Sequence, residues 1–292
     1  MTEKGKNLRA IDKPVYRYWQ ALYRSFFDSR LYVDVAKRWK GFGFIYLFLL
    51  IALLSLPFSL RVLAEFNTFF NKEIVQPMLG LPTLYMQNGK VSINQPMPYI
   101  VKNSSGQAVA IVDTTGKIST LDGTYPNLNI LVTQDKLFLR YPMPKFFFNT
   151  TTPEATSNDV QIYPFSQEGN SVFEGKEWVK KSGVLNLKIF FGVLLFPTII
   201  FVATSVFAVF MLVFALMGQF IAQLFFKTSL SYKQACRLLI VSMTPFQWIF
   251  WLVMTLALFY SSYSLILPLL MASYFCYAVL AVKRDSQKLV HS

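Results

Sequence analysis

Residues 187–226 read LKIFFGVLLFPTIIFVATSVFAVFMLVFALMGQFIAQLFF, and Lys188 is the single charge among them. As one α-helix this stretch is about 60 Å long, twice the roughly 30 Å of hydrocarbon in a bilayer. It is either one crossing that runs on past the membrane or two crossings joined by a turn. The choice sets the fold. No Gly/Pro turn lies near its middle, since Pro197 and Gly218 are both off-centre. The decision falls to the charges on either side.

Those charges are segregated. Residues 64–186 carry ten Lys/Arg and ten Asp/Glu, a net of zero. Residues 1–63 carry eleven basic and four acidic side chains, and residues 187–292 carry seven basic and one acidic. The whole excess of +13 therefore lies outside the central block. Cytoplasmic segments of membrane proteins are the ones enriched in Lys and Arg. Two crossings in 187–226 would put Lys227, Lys233 and Arg237 outside, and the tail Lys283, Arg284 and Lys288 with them. One crossing keeps both clusters inside with the basic N-terminus. The sequence thus predicts one crossing at about 189–213, continuing as a helix to 226 toward or along the cytoplasmic face.

Composition agrees with a membrane class. The chain is 54% hydrophobic and 17% aromatic with a mean hydropathy of +0.41, beyond what soluble domains show. A basic balance can signal nucleic acid, but these basic residues hug the ends of apolar segments, so no nucleic-acid partner is expected. No signal peptide is expected either, because the first apolar run lacks a small-residue cleavage site and reads as an anchor. Cys236 and Cys276 lie in or beside apolar helices and read as buried thiols rather than a disulfide framework.

Residues 1–41 carry two basic amphipathic patterns. Val15, Trp19, Leu22, Tyr23, Phe26 and Phe27 share one helical face. Asp28 or Ser29 can cap a second helix bearing Leu31, Tyr32, Val35, Ala36 and Trp39, with Lys37, Arg38 and Lys40 at its end. Two roles fit equally: lying on the membrane surface or packing on the protein's own helices. Residues 42–63 form the first span. Twelve of the residues from 44 to 60 are Leu, Ile or Phe, which favours insertion by roughly 4–7 kcal/mol. Pro57 lies near its far end. Further spans are predicted at about 237–260 and 263–282, joined as a tight helical hairpin.

The central block, 64–186, shortens its period after an amphipathic lead-in at 64–79 (Phe66, Phe69, Phe70, Ile74, Val75). Strands at 84–87 and 91–93 flank Asn88-Gly89, a type I′ hairpin signal. Strands at 108–113 and 117–121 flank Thr114-Thr115-Gly116, and those at 129–133 and 136–140 flank Gln134-Asp135. Further strands are predicted at 146–148 and 160–163, around a loop at 150–158, and a short helix at 172–181. The fold class is therefore a membrane α-helical protein of four transmembrane helices with an inserted extracytoplasmic antiparallel β-rich domain. Residues 187–292 form a C-terminal membrane domain with a basic tail.

The lead-in Tyr18-Trp19-Gln20-Ala21-Leu22-Tyr23, the first span, the hairpin Asn88-Gly89-Lys90-Val91-Ser92 and the run Ile111-Val112-Asp113-Thr114-Thr115-Gly116 together resemble the DUF1189 family of bacterial membrane proteins. The C-terminal helices, with Leu230-Ser231-Tyr232-Lys233-Gln234 leading to Thr244-Pro245-Phe246, are faintly similar to the Yip1-like membrane fold. The DUF1189 resemblance implies a bacterial cytoplasmic (inner) membrane and this topology. It brings no catalytic residues.

Candidate chemistry is sparse. Asp113, Asp122 and Asp135 are the acids best placed for acid/base work in the β domain. Each sits at or beside a predicted turn, where Asp bonds its own backbone, and the turn role is the expected one. The single His, His291, is in the tail, so no nucleophile–His pair is expected in the outer domain. No calcium-loop spacing or mixed metal-ligand set is present, and no cofactor or metal is expected. No predicted span carries a central ionisable group; Arg61, Lys188 and Arg237 fall at predicted ends. That disfavours an ion-coupled pump. Gln219 and Gln223, one turn apart, and Gln247 after Pro245 are candidate interhelical or cavity-lining amides.

The leading expectation is a non-enzymatic integral membrane protein, both termini cytoplasmic, acting as scaffold or accessory subunit of an envelope or transport complex. Its partners would be the lipid bilayer, an envelope protein and, as an open alternative, further copies of itself. The other readings are lipid or hydrophobic-ligand handling between the outer domain and the bilayer, a small oligomeric transporter and, with least support, a peptidase or transferase.

Overall fold

The computed structural model describes residues 13–103, 105–121, 125–141, 160–165, 170–258 and 263–290. The chain forms two compact units. One comprises the residues up to Arg61 together with those from Leu195 onward, and the other is Val62–Leu194.

The first unit is helical. Helix α1 (Tyr18–Arg24) is followed by α2 (Ser29–Lys37), capped by Asp28, whose carboxylate accepts from Arg30 N–H. The two roles left open for this region separate here. Helix α2 is core: Leu31, Tyr32 and Val35 are fully buried, and it packs on α8 and α10, defined below. Around α1, Val15, Trp19, Tyr23 and Phe27 are exposed.

The first predicted span is not one straight helix. Helices α3 (Phe44–Leu54) and α4 (Leu56–Phe70) meet at a bend of 49°. Pro57 is the cause, because its ring displaces the carbonyl four residues back and it has no N–H to donate. Helix α4 runs on through a π turn (Asn71–Val75) into α5 (Gln76–Gly80), so the 64–79 lead-in is helical. The 237–260 span is also bent, by 44°, between α8 (Tyr232–Ser242) and α9 (Thr244–Leu256). Pro245 again lies just past the break. Thr244 Oγ1 donates to the Val241 carbonyl at 2.8 Å and satisfies the acceptor that Pro245 cannot serve.

Helix α7 (Val184–Phe226) is continuous over 43 residues with Pro197 inside it, as the 187–226 stretch predicts. Helix α10 (Tyr263–Val290) closes the unit and extends past the expected end at 282. Val184–Phe226 and Ile266–Gln287 are each long and apolar enough to cross a membrane, and the count among the described residues rises to four if each bent pair is one span.

The second unit holds two sheets. In the smaller, of order β2-β1-β8, strand β1 (Leu84–Gln87) pairs with β2 (Lys90–Ser92) and β8 (Ser171–Phe173). The β1–β2 hairpin closes Gln87 on Lys90 with Asn88 and Gly89 both at positive φ, as its sequence predicts. The larger sheet has the order β3-β4-β5-β6-β7, with β3 (Tyr99–Lys102), β4 (Ala108–Val112), β5 (Ile130–Val132), β6 (Lys136–Arg140) and β7 (Val160–Pro164). The hairpin around Gln134-Asp135 and the strand at 160–163 match expectation. A single core joins the sheets, with Leu84 and Val91 from one packed among Val101, Val112, Ile130 and Val132 from the other.

Three expectations need correction. The domain is not purely antiparallel, because β4 and β5 run parallel. The hairpin expected at 108–113 and 117–121 does not form. Asp113 draws the chain after β4 into a side-chain-bonded turn, and Ile118 and Leu121 plug the sheet face carrying Ile111, Leu128 and Leu131 instead of adding a strand. Residues 171–173 are a strand, so the helix expected from 172 begins later, as α6 (Gly175–Lys181). The expected strand at 146–148 and loop at 150–158 lie outside the described residues.

Candidate functional site

Two polar grooves are formed by described residues of the β unit. The larger, about 440 Å³, is lined by Thr83, Tyr85, Asn94, Gln95, Glu174 and Lys176 among others. Three segments build it: the start of β1, the chain after β2 and the start of α6. They meet closely because Gly175 lies against α5. A Cβ on Gly175 would sit 1.8 Å from the Met78 carbonyl oxygen. Two amides, a phenol, a hydroxyl, an acid and a base offer hydrogen bonds of both senses without a net charge. This suits recognition of a polar surface. Sequence reasoning missed these residues, since Asn94 and Gln95 carry no signal beyond polarity between strands.

The smaller groove, about 300 Å³, brings Asp113 and Asp135 together with Thr115, Ser119, Thr133 and Lys136. Asp122 lies outside the described residues. Both acids are engaged within local turns. The Asp113 carboxylate accepts from Thr115 N–H at 2.8 Å, Thr115 Oγ1 at 2.6 Å and Ile118 N–H at 2.7 Å. Asp135 accepts from Thr133 Oγ1 at 3.2 Å and pairs with Lys136 Nζ at 3.8 Å. This is turn chemistry. Among the described residues no group of three or more His, Cys, Asp or Glu is placed to hold a metal ion.

Burial pushes the Asp113 carboxyl up, but the hydrogen bonds from Thr115 and Ile118, with Lys117 nearby, outweigh it and hold it below its ordinary value. A depressed carboxyl contributes stability above its unfolded pKa of about 3.9, and that contribution is lost as pH falls through the folded value. Asp113→Asn should therefore lower the melting temperature of the β unit at pH 7, and the gap to wild type should close as the pH is taken below 4. Hydrogen exchange of β4 and β5 across a pH series checks this. A gap that stays constant would contradict the turn role.

In the helical unit, helix α9 meets the bent pair α3–α4 along one face. Tyr46 Oη and Thr244 Oγ1 lie 2.8 Å apart, the Phe58 and Trp251 rings are 5.6 Å apart, and Arg61 donates to the Thr255 carbonyl. The three candidate amides are not brought together. Gln219 donates to the Leu230 carbonyl at 2.8 Å and anchors the chain after α7. Gln223 is exposed. Gln247 is fully buried. Arg237, expected at a span end, is buried and donates to the Ala36 carbonyl at 3.0 Å, at the end of α2.

A sequence model of the family described as "Protein of unknown function (DUF1189)" matches residues 19–281. The chain belongs to the DUF1189 family. The match takes in α1 from Trp19, both bent helix pairs, both sheets and most of α10, so the DUF1189 region includes both grooves described above. No curated protein and no solved structure matches this DUF1189 chain.

Proposed function

We propose that this DUF1189 protein is a non-enzymatic scaffold or accessory subunit in a bacterial cytoplasmic membrane. Both termini lie on the cytoplasmic side, and the β unit is presented on the other. Its larger groove recognises a second protein of an envelope or transport complex. The observation that carries this reading is the groove of Tyr85, Asn94, Gln95, Glu174 and Lys176 on a block, residues 64–186, of zero net charge. The acids of the smaller groove, by contrast, are consumed by turns. Supporting the single crossing of α7, Phe42 and Leu212 pack on the same cluster of Ala215, Ala235 and Cys236, and Leu63, midway along α4, lies against Gly192. That interval on α7 is about 30 Å long, one hydrocarbon thickness.

Photo-crosslinking in growing cells tests the proposal. A crosslinker at Asn94 should give one discrete adduct with another membrane or envelope protein, and one at exposed Lys102 should not. Glu174→Lys should weaken the adduct about tenfold, as loss of one charged interface contact does. Adducts to lipid alone, or none at either position, would remove the groove as a docking surface.

A further inference from the structure

Gln247 is the outlier of the helical unit. A carboxamide offers donors and acceptors, and leaving both unmet in an apolar interior is costly. Gln247 is fully buried, yet among the described residues neither Nε2 nor Oε1 meets a hydrogen-bonding group. One helical turn further along α9, Trp251 is 5% exposed and its Nε1 is likewise unbonded. Residues four apart share a helix face. That face is the one turned to α3–α4, because Thr244 meets Tyr46 on one side of Gln247 and Trp251 meets Phe58 on the other. Between Tyr46 and Phe58 in the chain lies Ser55, at the 49° bend, fully buried with its Oγ unbonded.

Between the Tyr46–Thr244 and Phe58–Trp251 contacts the seam therefore holds three donors (Gln247 Nε2–H, Trp251 Nε1–H and Ser55 Oγ–H) and two acceptors (Gln247 Oε1 and Ser55 Oγ), all neutral and buried, while Arg61 at its end is bonded to the Thr255 carbonyl. Its guest must be small, neutral and able both to donate and to accept. We infer that the seam is an internal hydration site, with ordered water held by Gln247, Trp251 and Ser55. Water there accepts from Trp251 Nε1–H and Gln247 Nε2–H and donates to Gln247 Oε1, within the two to four partners a buried water makes.

Radiolytic footprinting of the full chain in lipid nanodiscs, with water as the probe, tests this. Water bound in the seam is activated in place and oxidises its neighbours. Trp251 and Phe58 should label at least several-fold faster than Met211, which is 1% exposed in the same unit and intrinsically more reactive. Gln247→Leu should bring Trp251 down to the Met211 rate, with Gln247→Asn between. If wild-type Trp251 labels no faster than Met211, the seam is dry and the inference fails. It fails equally if Gln247→Leu leaves the rate unchanged. Should Gln247→Leu not fold, the wild-type comparison decides alone.

Discussion

Gly175→Ala should destabilise the β unit by about 3 kcal/mol, the upper end of overpacking costs, and lower its melting temperature by roughly 10 °C. The added methyl has nowhere to go. It would lie 1.8 Å from the Met78 carbonyl oxygen and 2.9 Å from the carbonyl carbon, so the backbones of α5 and α6 must part. Those two helices hold the Phe70, Val75 and Val179 cluster together, and Gly175 also lines the larger groove. Loss of partner crosslinking at Asn94 should therefore accompany the loss of stability. Gly106→Ala is the matching control. Gly106 has φ of +78° with nothing within 4 Å of its would-be Cβ, so it should cost only the left-handed strain of about 1 kcal/mol. Hydrogen exchange of β1 and β8 in the full chain reads both. Equal protection in the two variants would mean that α5 and α6 do not pack as described.

The second large effect is expected at Asp34. This acid is 2% exposed in a strongly basic segment. Its oxygens accept from Val15 N–H at 3.0 and 3.1 Å and Tyr16 N–H at 3.1 Å, and they pair with Arg38 at 3.2 Å. It ties the chain before α1 to α2, the helix that fills the core. Asp34→Ala should cost about 3 kcal/mol, because it leaves backbone donors and a guanidinium without their charged acceptor. Asp34→Asn keeps one acceptor and should cost about half as much. The loss should appear as faster exchange at residues 15–37 and a lower melting temperature of the helical unit. A neutral Asp34→Ala would show that the N-terminal segment is not anchored this way.

Much of the fold is legible in the sequence where local chemistry and pattern agree. Asn88-Gly89 demands positive φ twice, and it turns as expected. The 187–226 run is one helix even though Pro197 removes one of its hydrogen bonds, because no Gly/Pro turn lies near its middle. The misreadings occur where tertiary contacts override period. Residues 117–121 look like a strand, but Asp113 bonds three donors within its own turn, and Ile118 and Leu121 are worth more as a plug over the sheet. The parallel pairing of β4 with β5 is a long-range choice that no local turn announces. Pro57 and Pro245 are visible as kink sites, but the size of each bend depends on the packing around it. The grooves were the least legible. Asn94, Gln95 and Glu174 come from separated segments, and only the close approach of Gly175 to Met78 assembles them. The candidate amides split for the same reason: Gln219 has a loop carbonyl within reach, Gln223 faces outward, and Gln247 is enclosed by helices that offer it no partner.

Single-cysteine labelling in intact cells tests the central placement most directly. With Cys236 and Cys276 replaced by Ala, Ser92→Cys on β2 and Ser229→Cys after α7 are treated with a membrane-impermeant maleimide. The account predicts labelling of Ser92→Cys from outside and of Ser229→Cys only after the membrane is opened. Labelling of both from outside would mean that α7 crosses twice, or not at all, and would contradict a β unit held across the membrane from the basic termini.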